Sequence, residues 1–430
     1  MILLLIIADD FTGALDTGVQ FAAHGIRTRV VVDPDVDFAA QDSQVLVVDT
    51  ETRHLPAAKA YEMVAGLTRR AVDAGVKYIY KKTDSALRGN IGAELAAVLE
   101  ASGAGQLPFL PAFPQTGRIT RGGVHYVDGV PVTESPFGRD PFEPVKYSVV
   151  TDLIAAQCSL PAKSFPALAE ADNMPQDKGI LVFDAADADD LLRTGQKLLE
   201  HKTPAKQRLS QNCLAVIVMA GCAGFGAVLP ELLGIAQASA RPLPELDPRL
   251  LVVCGSVNPI TLAQLDRAEE NGFARLRLTL RQKLEPGYWQ SAEGQDDLIR
   301  IEKMLAANPH CIIESNDLGG NQPTAEYAKK LGIDLETLRV RIAGSLGDLV
   351  GEIFTSPSLG TLLLTGGDTL LQCMNCIGVR ELEPLCELEK GVVLASFTYN
   401  GCTRHVITKS GGFGQESLLT DLTKKLEEKL

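Results

Sequence analysis

The pattern of apolar and polar positions predicts short strands alternating with amphipathic helices in the first half of the chain. Met1 to Ile7 is a continuous apolar run of strand length, and Phe11, Leu15, Val19 and Ala22 then recur at the spacing of one helical face. Further strands are expected at Thr28 to Val32, Val45 to Val48, Val76 to Tyr80, Leu107 to Leu110, Ile180 to Phe183 and Leu214 to Met219. This alternation is typical of an α/β domain with a mainly parallel sheet flanked by helices.

The second half resumes the same alternation after a proline-rich segment. ARPLPELDP, from Ala240 to Pro248, holds three prolines within seven positions, which neither a helix nor a central strand would accept. Strands are expected after it at Leu250 to Cys254, Cys311 to Ile313, Thr361 to Thr365, Val392 to Phe397 and His405 to Thr408. We therefore expect two α/β domains, residues 1–240 and 248–430.

Length and composition limit the class of protein. At 430 residues the chain is long enough for two or three domains at about 150 residues each. The net charge of -13, without a dense Lys/Arg stripe, makes nucleic acid an unexpected partner. No apolar stretch approaches the roughly 20 residues that cross a bilayer, and the opening apolar run has no basic residues before it. We expect a cytoplasmic protein without a membrane partner.

The cysteines are more typical of reduced thiols than of disulfides. Their number, nine, is odd, and they are scattered through apolar runs. Cys373 and Cys376 form a lone C-x-x-C without a second pair or a nearby histidine at zinc spacing. We expect no metal at this pair.

Two acidic junctions follow buried strands in the first half. In IIADDFTGALD, Asp9 and Asp10 stand where a strand passes to a helix, and ligands of open α/β sheets bind beyond the carboxyl ends of the strands. One of the two could instead serve as a helix N-cap. In KKTDSALRGN, Lys82, Asp84, Ser85 and Arg88 offer the cations, carboxylate and hydroxyl that suit a small polyhydroxy acid. The alternative here is an N-cap at Asp84 or Ser85 behind solvated lysines.

The stretch from Pro111 to Pro144 has little periodicity and is long for a loop in a compact domain. It is rich in Gly, Pro and Arg, and its interleaved aromatic residues argue against disorder, so a functional loop is expected. Arg118, Arg121, His125 and Arg139 could contribute to an anion site, although arginines beside glycines are also common in plain turns.

Three glycine-bearing turns follow strands in the second half: CGSVNP from Cys254, LLLTGGDTL from Leu362 and KSGGFG from Lys409. Glycines let backbone N–H groups approach phosphate oxygens, the helix N-terminus adds a favourable dipole, and the carboxylate of Asp368 can hold Mg²⁺. Asn258 is also placed to cap a helix opened by Pro259. A Walker A loop is absent, and Gly221, Gly224 and Gly226 have the dinucleotide spacing reversed.

Six stretches, in order and across nearly the whole chain, resemble the four-carbon acid sugar kinases, also called tetronate kinases. They are ADDFTGALD, KKTDSALRGN, FPQTGRITRGGVHYVDGVPVTESPFGRDP, CGSVN, TGGDT and KSGGFG. The resemblance implies an acid-sugar domain at 1–240, an ATP domain at 248–430 and an active site in the cleft between them. It also implies phosphorylation of the terminal 4-hydroxyl of threonate, erythronate or a 3-oxo relative. The ALD of the first stretch, where 3-oxo-tetronate kinases tend to have ATD, favours threonate or erythronate.

Carried over by position, the resemblance also implies the site residues. The nucleotide contacts would be Ser256, Gly366, Gly367, Asp368, Thr369, Gly411, Gly412 and Gly414, with Mg²⁺ at Asp368. The acid-sugar contacts would lie around Asp10, Lys82, Asp84 and Arg88, and we add Asp9, Ser85 and Arg118 as candidates. Asp10 or Asp84 would act as the catalytic carboxylate, with Asp9 as a structural partner. Family members with GSCS have a second serine where this chain has Asn258.

Two rival functions remain open. A non-catalytic sensor would bind an acid sugar and a nucleotide without turnover, and a nicotinamide oxidoreductase would act on the same acids but lacks its fingerprint here. The expected partners are a small sugar acid and ATP, and the sequence leaves a homodimer open.

Overall fold

The computed structural model describes residues 2–140, 144–169, 172–202, 216–235 and 243–428. The chain separates into two compact units, Met1–Ala240 and Arg241–Leu430. Parts of four predicted segments lie outside the described residues: Met1, residues 141–143 of the stretch without periodicity, Leu214 and Ala215 of a predicted strand, and residues 240–242 of the proline-rich segment. Within the described ranges, no helix is both long enough and apolar enough to span a bilayer.

The N-terminal unit is built on a parallel sheet. Its strands are β1 (Leu4–Ala8), β2 (Thr28–Val31), β3 (Val45–Asp49), β4 (Tyr78–Lys82), β5 (Gln106–Leu110), β6 (Arg118–Arg121), β7 (Val124–Val127), β8 (Val130–Pro131), β9 (Ala162–Phe165), β10 (Gly179–Phe183) and β11 (Ile217–Gly221). Its helices are α1 (Phe11–Ala22), α2 (Ala57–Asp73), α3 (Ile91–Ser102), α4 (Val150–Ala155), α5 (Ala188–Lys202) and α6 (Ala223–Leu232). The strand order of the large sheet is β2-β3-β1-β4-β11-β5-β10-β9, with parallel pairing throughout.

Strand β1 lies at a reversal of the strand order. All five of its residues are buried, as expected for a parallel strand covered on both faces. The chain leaves β1 for β2 and β3 on one side and returns to β4 on the other. Such a reversal opens a crevice at the carboxyl ends of the strands, where α/β proteins bind ligands.

Strand β4 differs from the prediction at its carboxyl end. The predicted strand, Val76 to Tyr80, stopped before the first lysine, whereas the observed strand continues through Lys81 and Lys82, both buried. The strand can include these cations because each one finds a carboxylate partner inside the unit.

The prediction that the 111–144 stretch is a loop without regular structure was wrong. Strands β6, β7 and β8 form a small antiparallel sheet within it. Each strand has at most four residues, so the period-two alternation was too short to recognise.

The C-terminal unit is a second α/β fold. Its strands are β12 (Leu250–Cys254), β13 (Ala274–Arg277), β14 (His310–Glu314), β15 (Thr361–Thr365), β16 (Glu381–Glu389), β17 (Val392–Tyr399) and β18 (Cys402–Lys409). Its helices are α7 (Pro259–Glu270), α8 (Leu280–Leu284), α9 (Ala292–Ala307), α10 (Gln322–Lys330), α11 (Leu335–Ile353), α12 (Gly367–Cys376) and α13 (Leu418–Glu427). The strand order is β13-β14-β12-β15-β18-β17-β16. The pairs β16·β17 and β17·β18 are antiparallel and the other pairs are parallel, so this sheet is mixed, with a parallel majority.

Candidate functional site

In the N-terminal unit, the carboxyl ends of three neighbouring strands bring charged residues together. Asp9 and Asp10 follow β1, Arg53 follows β3, and Lys82 and Asp84 come from the end of β4. The register pairs Ala8 with Asp49 and Ile7 with Lys81, so strands β1, β3 and β4 end side by side at the same edge of the sheet. We call these five residues, together with Arg88, the acidic–basic cluster.

Arg53 is the central cation of the acidic–basic cluster. Its Nε donates to Asp9 Oδ2 at 2.8 Å, and its Nη1 donates to Asp10 Oδ2 at 2.9 Å. Its Nη2 lies 2.7 Å from Asp10 Oδ1 and 3.6 Å from Asp84 Oδ1. One guanidinium thus joins carboxylates that follow two different strands.

Lys82 binds the same pair of aspartates from the other side. Its Nζ donates to Asp10 Oδ1 at 2.9 Å and lies 3.3 Å from Asp9 Oδ1. Gly13, in the first turn of α1, leaves the space for this ammonium, since a Cβ there would lie 1.6 Å from Lys82 Nζ. Asp10 is also the N-cap of α1 and accepts from Gly13 N at 3.2 Å, which confirms that one of the two aspartates caps the helix.

Asp84 is held by its own loop rather than capping a helix. Its carboxylate accepts from Arg88 Nε at 3.0 Å and Arg88 Nη2 at 2.9 Å, and from the backbone N–H groups of Ala86 and Arg88. Helix α3 begins at Ile91 with Asn90 as its N-cap residue, so the alternative reading of Asp84 or Ser85 as that cap was wrong.

The cations keep the buried carboxylates ionised. Burial alone would raise the pKa of Asp9, but the nearby charges of Arg53 and Lys82 outweigh it and hold that pKa well below its usual range. Asp84 follows the same logic: burial opposes ionisation, and Arg88 and Arg53 hold its pKa well below the ordinary value. At neutral pH, Asp9 and Asp84 are therefore hydrogen-bond acceptors.

A second ion pair lies beneath the cluster. Lys81 Nζ lies 2.9 Å from Glu94 Oε2, and both side chains are almost completely buried. Lys81 also donates to the carbonyl oxygens of Ile7 at 3.1 Å and Lys82 at 2.7 Å. This pair anchors the end of β4 to β1 and α3.

The small antiparallel sheet supports the 84–88 loop. His125 lies in β7, completely buried, with Nε2 2.9 Å from Ser85 O and Nδ1 3.0 Å from Thr120 Oγ1. Burial lowers the pKa of His125 to about 4, so the ring is neutral at physiological pH. Both ring nitrogens are thus engaged within the unit, and His125 holds the loop in place.

Arg88 and Arg118 share an aromatic neighbour. The Phe137 ring centre lies 5.3 Å from the Arg88 guanidinium carbon and 5.5 Å from that of Arg118, within cation–π range. Arg118 is thereby placed next to the acidic–basic cluster, whereas Arg121 and Arg139 are exposed. The Ser85 hydroxyl makes no hydrogen bond within the part of the chain that the structure describes.

In the C-terminal unit, the three glycine turns converge on Ser256. The register aligns Cys254 with Thr365 and Thr365 with Lys409, so the turns begin side by side. A Cβ on Gly411 would lie 2.9 Å from Ser256 Oγ, and one on Gly366 would lie 3.3 Å from Ser256 N. Gly366 also has a φ of +106°, a conformation that favours glycine.

A helix begins directly after each of two of these turns. Gly366 precedes α12, which begins at Gly367, and Asn258 caps α7 by accepting from Ile260 N at 3.0 Å, as predicted. Two helix N-termini therefore open at the level of Ser256, which is the arrangement that binds phosphate groups.

The carboxylate of Asp368 has a partner that the sequence did not reveal. Arg339 Nη1 of α11 donates to Asp368 Oδ1 at 2.6 Å. The side chain of Asp368 is 34% exposed, and the structure shows no hydrogen bond to its Oδ2 among the described residues. The carboxylate is thus partly neutralised but accessible. Within the described ranges, no group of three or more His, Cys, Asp or Glu side chains could hold a metal ion.

Sequence reasoning missed Arg53 and Arg339. Arg53 had a usable signal, because the run TETR directly follows the buried strand β3, as Asp9 and Asp10 follow β1. Arg339 had none, since it lies near the start of a long helix, 29 residues before Asp368 in the sequence.

Comparison with known proteins divides the chain in the same way. Residues 4–222 match the model of a sugar-binding N-terminal domain, and residues 251–419 match that of a nucleotide-binding C-terminal domain. The chain is 28% identical to a D-threonate kinase of Salmonella typhimurium over 99% of this chain and 98% of that protein. It is also 28% identical to a D-erythronate kinase of Heliobacterium modesticaldum over 88% of this chain and 86% of that protein. A solved structure from Salmonella typhimurium LT2 has the same fold, with a TM-score of 0.76 at 20% identity over 98% of this chain and 99% of that chain.

Proposed function

Because this chain belongs to the four-carbon acid sugar kinase family, we propose that it transfers the γ-phosphate of ATP to the terminal hydroxyl of threonate or erythronate. One observation carries the proposal: the acidic–basic cluster lies within the residues matched by the sugar-binding model, and the three glycine turns lie within those matched by the nucleotide-binding model. The acidic–basic cluster offers charged and polar groups for a sugar acid, and the glycine turns offer backbone N–H groups for phosphates.

The acidic–basic cluster retains donors for a sugar acid. Lys82 uses its ammonium on Asp9 and Asp10, which leaves one of its three protons without an acceptor among the described residues. Arg88 binds Asp84 through Nε and Nη2, and its Nη1 makes no hydrogen bond to any residue that the structure describes. We assign these spare donors to the substrate carboxylate, and the Ser85 hydroxyl and Asp9 to the polar surroundings of the substrate.

Of the two candidate catalytic carboxylates, Asp10 is the better placed. Its side chain is 16% exposed, against 9% for Asp84. Among the described residues, Asp10 Oδ2 accepts a single hydrogen bond, from Arg53, whereas Asp84 Oδ2 accepts three. Phosphoryl transfer depends mainly on alignment and charge neutralisation, so a carboxylate that orients the acceptor hydroxyl is sufficient.

The nucleotide would bind where the glycine turns converge. Ser256, Gly366, Gly367, Thr369, Gly411, Gly412 and Gly414 offer backbone N–H groups and hydroxyls to the phosphates. A single carboxylate such as Asp368 suits Mg²⁺ in such a site, because Mg²⁺ takes its other ligands from water and phosphate oxygens. When bound there, Mg²⁺ would neutralise phosphate charge that builds up during transfer.

The decisive experiment measures ADP release with Mg-ATP against D- and L-threonate, D- and L-erythronate and a 3-oxo-tetronate. We expect turnover with a threonate or an erythronate isomer. Turnover confined to the 3-oxo acid would move the protein to that branch of the family. Binding of acid and ADP without release of ADP would support the sensor, and a change in nicotinamide absorbance would support the oxidoreductase.

A further inference from the structure

Helix α7 binds the third glycine turn through its buried face. Thr261 Oγ1 donates to Gly411 O at 2.7 Å, and Gln264 Nε2 donates to Phe413 O at 3.0 Å and to Gln415 O at 2.9 Å. Thr261 and Gln264 stand three residues apart and therefore share one face of the helix. Both side chains are buried, at 1% and 0% exposure.

Lys409 binds the same turn from the end of β18. Its Nζ lies 3.1 Å from Thr261 Oγ1, 3.1 Å from Ser410 O and 3.4 Å from Gly411 O. Lys409 is 1% exposed, so its charge lies directly beneath the turn. In these low-dielectric surroundings, such contacts fix the turn more firmly than the same bonds would in water.

These contacts have a consequence for the opposite side of the turn. Four carbonyl groups, those of Ser410, Gly411, Phe413 and Gln415, accept hydrogen bonds from Lys409, Thr261 and Gln264. The N–H groups of Gly411, Gly412 and Gly414 have no acceptor within the described residues. Those glycines are partly or fully exposed. A turn whose carbonyls are held on one side can present its N–H groups on the other, as in an anion-binding nest.

We propose that Thr261, Gln264 and Lys409 are positioning residues of the nucleotide site, which hold the carbonyls of the 410–415 turn inward so that its N–H groups bind the phosphates of ATP. The inference rests on the proposed function and adds residues outside the six family-like stretches, since α7 itself carries two of the three. Helix α7 begins directly after the Ser256 turn, so it couples the first glycine turn to the third. The positive charge of Lys409 adds attraction for the phosphates from below.

The test compares Thr261→Val with the matched control Thr423→Val. Thr423 is also buried in the C-terminal unit, but its hydroxyl donates to Thr420 O of its own helix at 2.9 Å. Thr261→Val removes the hydrogen bond to Gly411 O and the oxygen that Lys409 Nζ contacts, so it should raise the KM for ATP and the Kd for ADP roughly three- to tenfold. The KM for the sugar acid and kcat should not change, Thr261→Ser should restore ADP affinity, and Thr423→Val should bind ADP like the wild type.

A second variant protects the test against a folding defect at Thr261. Gln264→Met keeps the side-chain volume and removes both donors, so it should weaken ADP binding in the same way. Equal ADP affinity of Thr261→Val, Gln264→Met and Thr423→Val, by titration calorimetry on the full chain, would overturn the inference. If the wild type binds ADP but phosphorylates no acid, the proposed function fails and the affinity comparison still decides the inference. If the wild type binds no ADP, both fail.

Discussion

At the scale of single residues, Arg53 determines the state of the acidic–basic cluster. Its guanidinium is within ion-pair distance of Asp9, Asp10 and Asp84, and its side chain is only 8% exposed. Arginine suits this position because its fork of donors can serve several oxygens at once and its charge is permanent. Its charge thus offsets the mutual repulsion of three neighbouring carboxylates in a buried site.

Replacement of Arg53 by methionine should be strongly destabilising. Removing one partner of a buried ion pair leaves charge uncompensated, and we expect a loss of about 3–5 kcal/mol in the free energy of unfolding. Urea denaturation measures this loss. The matched control is Arg27→Met, because Arg27 pairs with Asp42 at 2.9 Å on the surface, with 49% of its side chain exposed. That pair should be worth about 1 kcal/mol or less, and similar midpoints for the two variants would contradict the role of Arg53.

The pKa shifts also predict how this stability depends on pH. The pKa values of Asp9 and Asp84 lie below their unfolded values in the native protein, so their contribution is complete above pH ~4 and is lost as pH falls towards the folded values. Arg53→Met removes one of the positive charges that lower the pKa values of Asp9 and Asp84. The free energy of unfolding of this variant should therefore depend less on pH in the acid range. Burial raises the pKa of Glu94, whose contribution has the opposite sign and decreases as pH rises.

The residues around the cluster were only partly predictable. Asp9, Asp10, Lys82, Asp84 and Arg88 could be selected because polar residues that follow apolar strands meet at one edge of a parallel sheet. Which of them would pair could not be predicted, since pairing depends on strand order, and strand order is not written in any local pattern. The pairing of Arg339 with Asp368 could not be predicted for the same reason, since it depends on how the elements pack.

At the scale of secondary-structure elements, the first turn of α1 is shaped by a glycine. Gly13 lies against Lys82 and Asp10, and a methyl group there would overlap both the ammonium and the Asp10 carboxylate. Glycine normally weakens a helix by roughly 0.5–1 kcal/mol relative to alanine, so its presence here indicates a need for space.

Gly13→Ala should therefore abolish most of the activity while leaving the chain folded. The end of the Lys82 side chain can move, but it then loses its contact with Asp10, and we expect kcat/KM for the sugar acid to fall by roughly 100-fold or more. Gly66→Ala in α2 is the control, since a Cβ there meets nothing within 4 Å. That variant should keep full activity and gain about 0.5 kcal/mol of stability. Steady-state kinetics and thermal unfolding check both, and an active Gly13→Ala enzyme would contradict the placement of Lys82.

Element types were more predictable than element ends. The buried runs at β1, β3, β12 and β15 are long and apolar enough to identify strands from the sequence. The end of β4 could not be predicted, because two consecutive lysines normally indicate a position exposed to solvent. Only the tertiary structure supplies their carboxylate partners. The antiparallel strand β16 was missed because glutamates alternate with its apolar residues at positions half open to solvent.

At the scale of the whole molecule, two units of the same class each carry one set of the proposed binding groups. In both units the groups follow neighbouring strands at a reversal of strand order, between β1 and β4 and between β12 and β15. The two-domain α/β architecture was predictable from the alternation and from the proline-rich segment.

If the N-terminal unit binds the sugar acid and the C-terminal unit binds the nucleotide, as proposed, two substitutions should have separate effects. Asp84→Asn should raise the KM for the sugar acid or lower kcat at least tenfold and leave the Kd for ADP unchanged. Gly255→Ala should do the reverse, because a Cβ on Gly255 would lie 2.0 Å from Thr369 Oγ1 among the glycine turns. Gly344→Ala, with nothing within 4 Å of its Cβ, is the control. Kinetics and calorimetry measure the effects, and loss of ADP affinity in Asp84→Asn would contradict the division.

The composition of the acidic–basic cluster has a final consequence for ligand choice. Asp9, Asp10 and Asp84 contribute three negative charges, and Arg53, Lys82 and Arg88 contribute three positive ones, so the formal charge of the cluster is zero. These six residues alone therefore give little selection of an anion by overall attraction. Selection of the substrate over other anions must therefore come from the few unused donors and acceptors, which can form hydrogen bonds with hydroxyl groups at matching positions. A simple dicarboxylate of the same length would satisfy the cations but leave those positions empty, and it should be a poor competitor.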